Sequence, residues 1–465
     1  MKLPDPQPNQ RLARAVACLA ALIVAAAGAG CGSDAVTADA GALDGGSDGP
    51  AALALRGAPL LFAPTADGFG VSVVLSGGDP AVLALRVRAA GAADWTDALT
   101  GDVRPPDVAQ WRVTGLSSGA RHQYRIVARA ADAGAEIVLY EGSVVTRRPP
   151  GASFSFAMVT DTHVGADPTF SNQGVPATTS AVSTAIGAAA PDFMVNLGDV
   201  LDFHQYGFNE PPPDKSIARD AYLNYRALLA GTTANAAHYE VLGGWDSEAG
   251  CDTPDEVDRS RSQRLLYVPG PDPTTYPEGG GTFENYYAFT WGDALFVMLD
   301  VFGYTPGCHL LGAYPGLVDD WTLGAEQLDW LRGVLENATA KWRFIFIHHP
   351  VGGMSPDPVE AAYGRGGGAA ANVGEQAVVH QLMRDHGVQV FFYGHDHVFT
   401  DMTVDGIHYT LPGSAGAPWM FTEAQTGYTT SWPDSGWGRV DVTPDSVHVS
   451  FVNLAGATLY EFTVP

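Results

Sequence analysis

The chain has 465 residues, enough for two or three domains, and carries 51 Asp and Glu against 25 Lys and Arg, a formal net charge of −26. So acidic a chain does not suit nucleic acid as a stable partner or an anionic lipid surface, since both select basic surface. At 46% hydrophobic and 10% aromatic it can bury a sizeable core, and its 55 Gly and 32 Pro mark it as loop-rich.

Taken in chain order, Lys2, Arg11 and Arg14 precede an uncharged apolar run from Ala15 to Gly30. The run is long for a signal-peptide core and short for a membrane span. It ends in Ala29-Gly30-Cys31-Gly32-Ser33. Small residues directly before a Cys resemble a bacterial lipoprotein cleavage site. That resemblance implies a signal peptide over 1–31 with Cys31 as the lipidated N-terminus. It also implies export and lipid anchoring to a bacterial membrane, in the periplasm or at the cell surface. Gly28 departs from the pattern, which places an aliphatic residue there. Ordinary cleavage after small residues and an uncleaved Ala-rich anchor are the other readings, and Cys18 is removed by either cleavage. Residues 32–54 are rich in Gly, Ala, Asp and Ser without a period, the composition of a flexible tether.

Residues 55–149 read as a small all-β sandwich. Strands are expected at 71–75, 84–88, 123–128 and 137–140, separated by Gly, Pro and Asp. The stretch from Gly115 to Ile126 resembles the late-strand pattern of fibronectin type III-like domains, in which a Leu and a Tyr pack at the sandwich corner. His122 reads as a surface strand residue rather than a ligand. From 150 to 465 strands alternate with helices. Strands are expected at 154–159, 193–197, 239–242, 294–299, 344–347 and 388–393, and helices near 178–189, 216–230, 257–267, 323–339 and 373–386. Leu328, Leu331 and Leu335 keep helical spacing in the fourth helix. Such alternation implies a layered α/β architecture.

Five of these strands run into polar residues: Thr160-Asp161-Thr162-His163, Gly198-Asp199, Gly243-Gly244-Trp245-Asp246, His348-His349-Pro350 and Gly394-His395-Asp396-His397. In open α/β sheets the ligand crevice lies beyond the carboxyl ends of strands, so these segments are expected to converge. Crowded carboxylates need a cation, and imidazole with carboxylate suits Mn, Fe, Zn or Ni better than Mg or Ca. A bridging carboxylate flanked by His suits two metals about 3.5–4 Å apart.

The order of these elements resembles the calcineurin-like metallophosphoesterases, which include purple acid phosphatases, over residues 150–465. The resemblance implies two mixed β-sheets flanked by helices, and hydrolysis of phosphomonoesters or phosphodiesters by a dimetal-activated hydroxide. It implies two divalent or trivalent transition metals (Mn, Fe or Zn). Asp161, His163 and His397 then bind the first, Asp199 bridges and acts in catalysis, and His348 and His395 bind the second. His348 is preferred to His349 because the family ligand stands two positions before the Pro; His349 is left as a catalytic or substrate-contacting group.

Three departures qualify this picture. Where the family has Gly-Asn-His-Asp/Glu, this chain has Gly243-Gly244-Trp245-Asp246. The Asn ligand is absent at Gly244, so the second metal is expected to be weaker unless Asp246, water or another group substitutes. The His is replaced by Trp245, which donates a hydrogen bond but does not exchange a proton near neutral pH. Trp245 is either a stacking wall in substrate binding or a packing residue, and a leaving-group acid is sought in His349, His204 or His309. Third, Asp202 stands where the purple enzymes carry their iron-binding Tyr. Arg365, in the Gly-rich loop 351–374, is either a phosphate contact or a solvent-facing cation. Tyr206, Asn209, Tyr304 and Trp419 are weaker candidates for specificity. Cys251 and Cys308 could pair in an exported protein. The competing function is a degenerate member that binds metal or phosphate without turnover.

Overall fold

A computed structural model describes residues 53–77, 83–128, 136–169, 171, 173–202, 214–248, 253–273, 275–305, 321–351, 374–422 and 426–465. The expectations for Cys31, tether residues 32–52, His204, Tyr206, Asn209, Cys251, Cys308, His309 and Arg365 lie outside these residues, whereas Ala54, expected to end the tether, opens the first strand. Among the described residues no helix is long and apolar enough to cross a membrane.

The N-terminal part is all strand: β1 (Ala54–Leu55), β2 (Leu60–Phe62), β3 (Phe69–Gly77), β4 (Leu83–Ala89), β5 (Leu99–Thr100), β6 (Asp102–Arg104), β7 (Val108–Val113), β8 (Arg121–Ala128) and β9 (Ile137–Val145). The α/β part follows with β10 (Phe154–Val159), α1 (Pro176–Ala189), β11 (Phe193–Asn196), α2 (Lys215–Leu228), α3 (Ala230–Thr233), β12 (Ala237–Glu240), α4 (Pro254–Tyr267), β13 (Tyr287–Trp291) and β14 (Ala294–Met298). Then come α5 (Gly324–Asn337), β15 (Trp342–Phe346), α6 (Gly374–Asp385), β16 (Val390–Phe392), β17 (Phe399–Val404) and β18 (Ile407–Pro412). The chain closes with β19 (Ser431–Trp432), β20 (Gly436–Val442), β21 (Val447–Asn453) and β22 (Thr458–Val464).

Helix starts follow local chemistry. Asp214 caps α2 by accepting from the N–H groups of Ser216 and Ile217. Thr253 and Glu256 form a reciprocal capping box at α4, with Pro254 in the first turn.

Strand alternation explains the layers. In β14 to β16, Phe296, Phe344, Phe346 and Phe392 face one core and Leu295, Val297, Ile345 and Phe391 face another. The first core lies between two sheets. There Phe156 of β10 stacks on Phe193 of β11 at 5.2 Å and meets Phe296 of β14 edge-on at 5.2 Å. The second core joins the seven-stranded sheet to Leu331 and Leu335 of α5 and Val379, Leu382 and Met383 of α6. The result is the expected sandwich of two mixed sheets with flanking helices.

One pairing was not foreseen. The larger sheet runs β22-β21-β20-β10-β11-β12-β2-β3-β7-β6, so β2 joins parallel to β12 through Phe62 and His238. The N-terminal strands and the α/β part therefore share one sheet and one core. Polar links reinforce this: Tyr124 Oη donates to Ala234 O at 2.8 Å, and buried Arg226 donates to Ser72 O at 2.7 Å. Strand β4 pairs with β5 and β8, and β8 with β9, in a separate four-stranded sheet. His122 is a correction. It is buried, not at the surface, with Nε2 3.2 Å from Ser117 O.

Candidate metal centre

Strands β10, β11 and β12 run parallel in one sheet, and β14, β15 and β16 in the other. The turns that leave them carry the polar clusters. Asp161, His163, Asp199, His395 and His397 all adopt left-handed backbone, with φ of 55°, 44°, 50°, 81° and 56°. Such conformations cost about 1–3 kcal/mol each and persist where the surroundings enforce them. Here they turn each side chain out of the pleat and into the crevice. Gly243 is required by close approach, because a Cβ there would lie 2.1 Å from Asp199 N. Gly198 is required by its φ of +99°.

The acidic groups are held so that one oxygen of each is anchored. Thr160 Oγ1 and His395 N–H donate to Asp161 Oδ2 at 2.7 and 3.1 Å, which leaves Oδ1 facing the cluster. Trp245 N–H donates to Asp199 Oδ1 at 2.9 Å, while Asp199 Oδ2 lies 3.0 Å from His348 Nε2 and 3.9 Å from His163 Nε2. The imidazoles are fixed in the same manner. His348 Nδ1 donates to Leu197 O at 2.8 Å and His397 Nδ1 to Trp419 O at 2.9 Å. A carbonyl only accepts, so the proton sits on Nδ1 and Nε2 is presented inward.

Donor atoms within 4.8 Å of one another form three overlapping groups: Asp161, His163 and His397; Asp161, Asp199 and His348; and His348, His349 and His395. Apart from His395, which is partly exposed, all of these side chains are buried. The electrostatics are correspondingly strained. Burial pushes the Asp161 carboxyl up, but His397, His348 and His163 outweigh it and hold it at about 2. Asp199 is likewise raised by burial and lowered further by His348 and His163. Burial drives His163 down to about 4 against the pull of Asp199. For His348 burial is outweighed by Asp199 and Asp161, which raise it to about 9.

The family model for calcineurin-like phosphoesterases matches residues 154–399, more than half of the chain. The chain belongs to the calcineurin-like phosphoesterase family. Its fold is similar to a purple acid phosphatase isolated from yellow lupin (Lupinus luteus) seeds, at 12% identity and a TM-score of 0.62 over 87% of this chain and 73% of that one. It also aligns with GAP50, the anchor in the inner membrane complex of Plasmodium, at 14% identity and a TM-score of 0.39 over 67% of this chain and 88% of that one. No curated protein matches. The lupin likeness is one of fold. Membership and fold together imply metal-dependent phosphoester hydrolysis at a dinuclear centre.

The residues of this calcineurin-like phosphoesterase fit such a centre. Asp161 Oδ1 and His348 Nε2 are buried without an aligned hydrogen bond, although His397 Nε2 and Asp199 Oδ2 approach them to 3.2 and 3.0 Å. Atoms so placed are costly unless a cation takes them. The structure brings together all six expected ligands, Asp161, His163, Asp199, His348, His395 and His397, and adds His349. Asp246 does not stand in for the missing Asn. Its Oδ1 accepts from Val200 and Leu201 N–H at 2.9 and 3.1 Å, and its Oδ2 from Gly243 N–H at 2.7 Å. Trp245 meets the His163 ring edge-on at 5.4 Å, so it sits at the first metal position. Asp202 Oδ2 accepts from Ser171 Oγ at 2.6 Å and Gln173 N–H at 3.1 Å, tying down the loop beside the site. That loop in turn holds Trp419, whose Nε1 donates to Gln173 Oε1 at 2.6 Å. Tyr304 meets Tyr286 instead, at 6.4 Å between ring centroids.

Two contributors had no role assigned from sequence. Thr160, which opens the first polar cluster, anchors Asp161. Trp321 stacks on His349 at 4.7 Å and 18°, from a segment far in sequence with no motif of its own.

Proposed function

We propose that the chain is a phosphoric ester hydrolase acting on phosphomonoesters or phosphodiesters, exported and held at a bacterial membrane through a lipid on Cys31. The observation that carries the hydrolytic reading is the convergence of Asp161, His163, Asp199, His348, His395 and His397 from both sheets. Asp161, His163 and His397 would hold one transition metal and His348 and His395 the other, with Asp199 placed between the two groups. Bound cations supply Lewis acidity and a lowered water pKa.

The chain's own residues set the rest. Thr160 and the His395 N–H restrict Asp161 to a single coordinating oxygen, and Leu197 O and Trp419 O keep Nε2 of His348 and His397 available. Trp245 binds rather than protonates, because indole does not exchange its proton near neutral pH. Trp419, 39% exposed, lies 4.1 Å from the His397 ring, and Phe421 lies 5.0 Å from Trp419. These rings make an aromatic wall that suits aryl or other flat leaving groups. We therefore expect aryl esters to react faster than alkyl esters. Residues 55–149 are read as a fibronectin type III-like module and 150–465 as the catalytic domain; the strand content of the first and the layering of the second support this.

The test is hydrolysis of p-nitrophenyl phosphate and bis-p-nitrophenyl phosphate with Mn, Zn, Fe or no added metal, beside Asp199→Asn and His397→Ala. Metal-dependent turnover lost in both variants is the expected result. Bound metal with no turnover on either ester favours the degenerate binding protein, for which Gly244 and Trp245 are the motive.

A further inference from the structure

Building on this reading, we infer that His349 is a ligand of the second metal, which makes that half of the centre a three-histidine site. The second half lacks a donor at Gly244, which has no side chain, and Asp246 spends both oxygens on backbone N–H groups. Yet His348, His349 and His395 each place one ring nitrogen within 4.8 Å of the other two. The His348 ring meets those of His349 and His395 edge-on, at 69° and 86°, and the His349 and His395 rings lie 3.8 Å apart between centroids at 43°. Tetrahedral zinc with Zn–N of about 2.0–2.1 Å needs nitrogens about 3.4 Å apart, which a modest ring rotation supplies.

The surroundings of His349 suit a ligand better than a proton donor. The side chain is 1% exposed. Trp321 stacks on the ring at 4.7 Å and Phe302 meets it edge-on at 5.0 Å, so it is pinned in an apolar wall. A leaving-group acid has to exchange its proton with water every turnover, and burial against two aromatic rings obstructs that. Fixed orientation is what a metal ligand gains from such packing.

Three imidazoles with Asp199 nearby also make this half softer than the first, where Asp161 and Asp199 both contribute oxygen. Imidazole-rich sites favour Zn, Co, Ni or Fe over Mg and Mn. The probe is therefore Zn²⁺ or Co²⁺, not Mg²⁺.

The experiment is a Zn²⁺ titration followed by calorimetry and metal analysis, with Co²⁺ absorption as a second readout, on wild type, His349→Phe and His349→Ala. His349→Phe keeps a ring against Trp321 and deletes both nitrogens. We expect two equivalents in wild type. In His349→Phe the first equivalent should stay tight and the second weaken at least 100-fold, with a changed Co²⁺ spectrum for that equivalent alone. Added imidazole should restore the second equivalent in His349→Ala. A His349→Phe protein that binds both equivalents as tightly as wild type overturns the assignment and leaves the hydrolase reading standing. A wild-type chain that binds fewer than two equivalents also overturns the assignment, while the hydrolase reading stands or falls on turnover of the two esters.

Discussion

Asp246 ties together the ends of two neighbouring strands, and Asp246→Ala tests how much of the centre depends on that tie. The side chain is fully buried and its two oxygens accept three backbone N–H groups, from Val200, Leu201 and Gly243, at 2.9, 3.1 and 2.7 Å. Truncation strands three buried donors at about 1–3 kcal/mol each, or roughly 3–6 kcal/mol after partial relaxation. Burial, Asp199 and Glu240 all push the Asp246 carboxyl well above its ordinary range, which favours its neutral form. A neutral acceptor makes weaker bonds than a carboxylate, so the expected loss is near the lower end, about 3 kcal/mol. Urea unfolding in chelator measures it without a metal contribution. Asp246→Asn should cost less, because its carbonyl still serves Val200 and Leu201 while its amide faces the Gly243 N–H. Metal affinity should fall in proportion to this disruption, since Val200 follows Asp199 and Trp245 N–H holds the Asp199 carboxylate. Two results refute the reasoning. One is an Asp246→Ala protein within about 0.5 kcal/mol of wild type, the range of an inconsequential surface change. The other is an Asp246→Asn protein that loses metal without losing metal-free stability, which would make Asp246 a ligand.

Thr160→Val removes the hydroxyl that orients Asp161 and should weaken first-metal affinity about 10–100-fold, as loss of outer partners of a ligand does, measured by competition with a chelator. Tyr124→Phe leaves Ala234 O without its buried donor and should cost about 1–2 kcal/mol in urea unfolding, although it lies far from the metal centre. In the metal-free protein, His348 is raised from its ordinary 6.5 to about 9, so its stabilisation is complete below 6.5 and is lost as pH rises through 9. His163 is lowered from 6.5 to about 4, so its cost appears as pH falls from 6.5 through 4. The chelated protein should therefore be most stable near pH 6.5. Saturating metal should flatten the upper arm, because the ligand state replaces the His348 proton. Urea midpoints against pH, with and without metal, check both arms.

Much of the α/β part was legible because its strands are short, apolar and bounded by Gly or Pro, and because helices such as α4 open on capping residues. The ligands were legible for a related reason: Asp or His directly after a buried strand has one place to go, beyond the carboxyl end of the sheet. What stayed hidden depends on contacts distant in sequence. Strand β2 is a three-residue stretch whose pairing with β12 rests on Phe62 meeting His238. No local pattern encodes that partner. His122 is in phase with the buried Tyr124 and Ile126 along β8, so its position pointed inward and only its polarity suggested the surface; Ser117 O, 3.2 Å from its Nε2, satisfies it there. His349 and His348 are adjacent and chemically alike. Their spacing to Pro350 separates them in sequence, and in the fold Leu197 O and Asp199 hold His348 while Trp321 stacks on His349.

The pairing of β2 with β12 bears on where this chain can be cut or recombined. A fragment beginning at residue 150 would turn β12 from an interior strand into an open edge, with its backbone groups unpaired on one side. Exposed apolar edges of that kind recruit other strands and promote aggregation. The same cut would strip Ala234 O and Arg226 of their partners on the N-terminal side. Gene fusions, domain swaps and expression fragments that respect the folded architecture must therefore carry the N-terminal strands with the metal-binding half. Inheritance of the two as one block is what the shared sheet enforces.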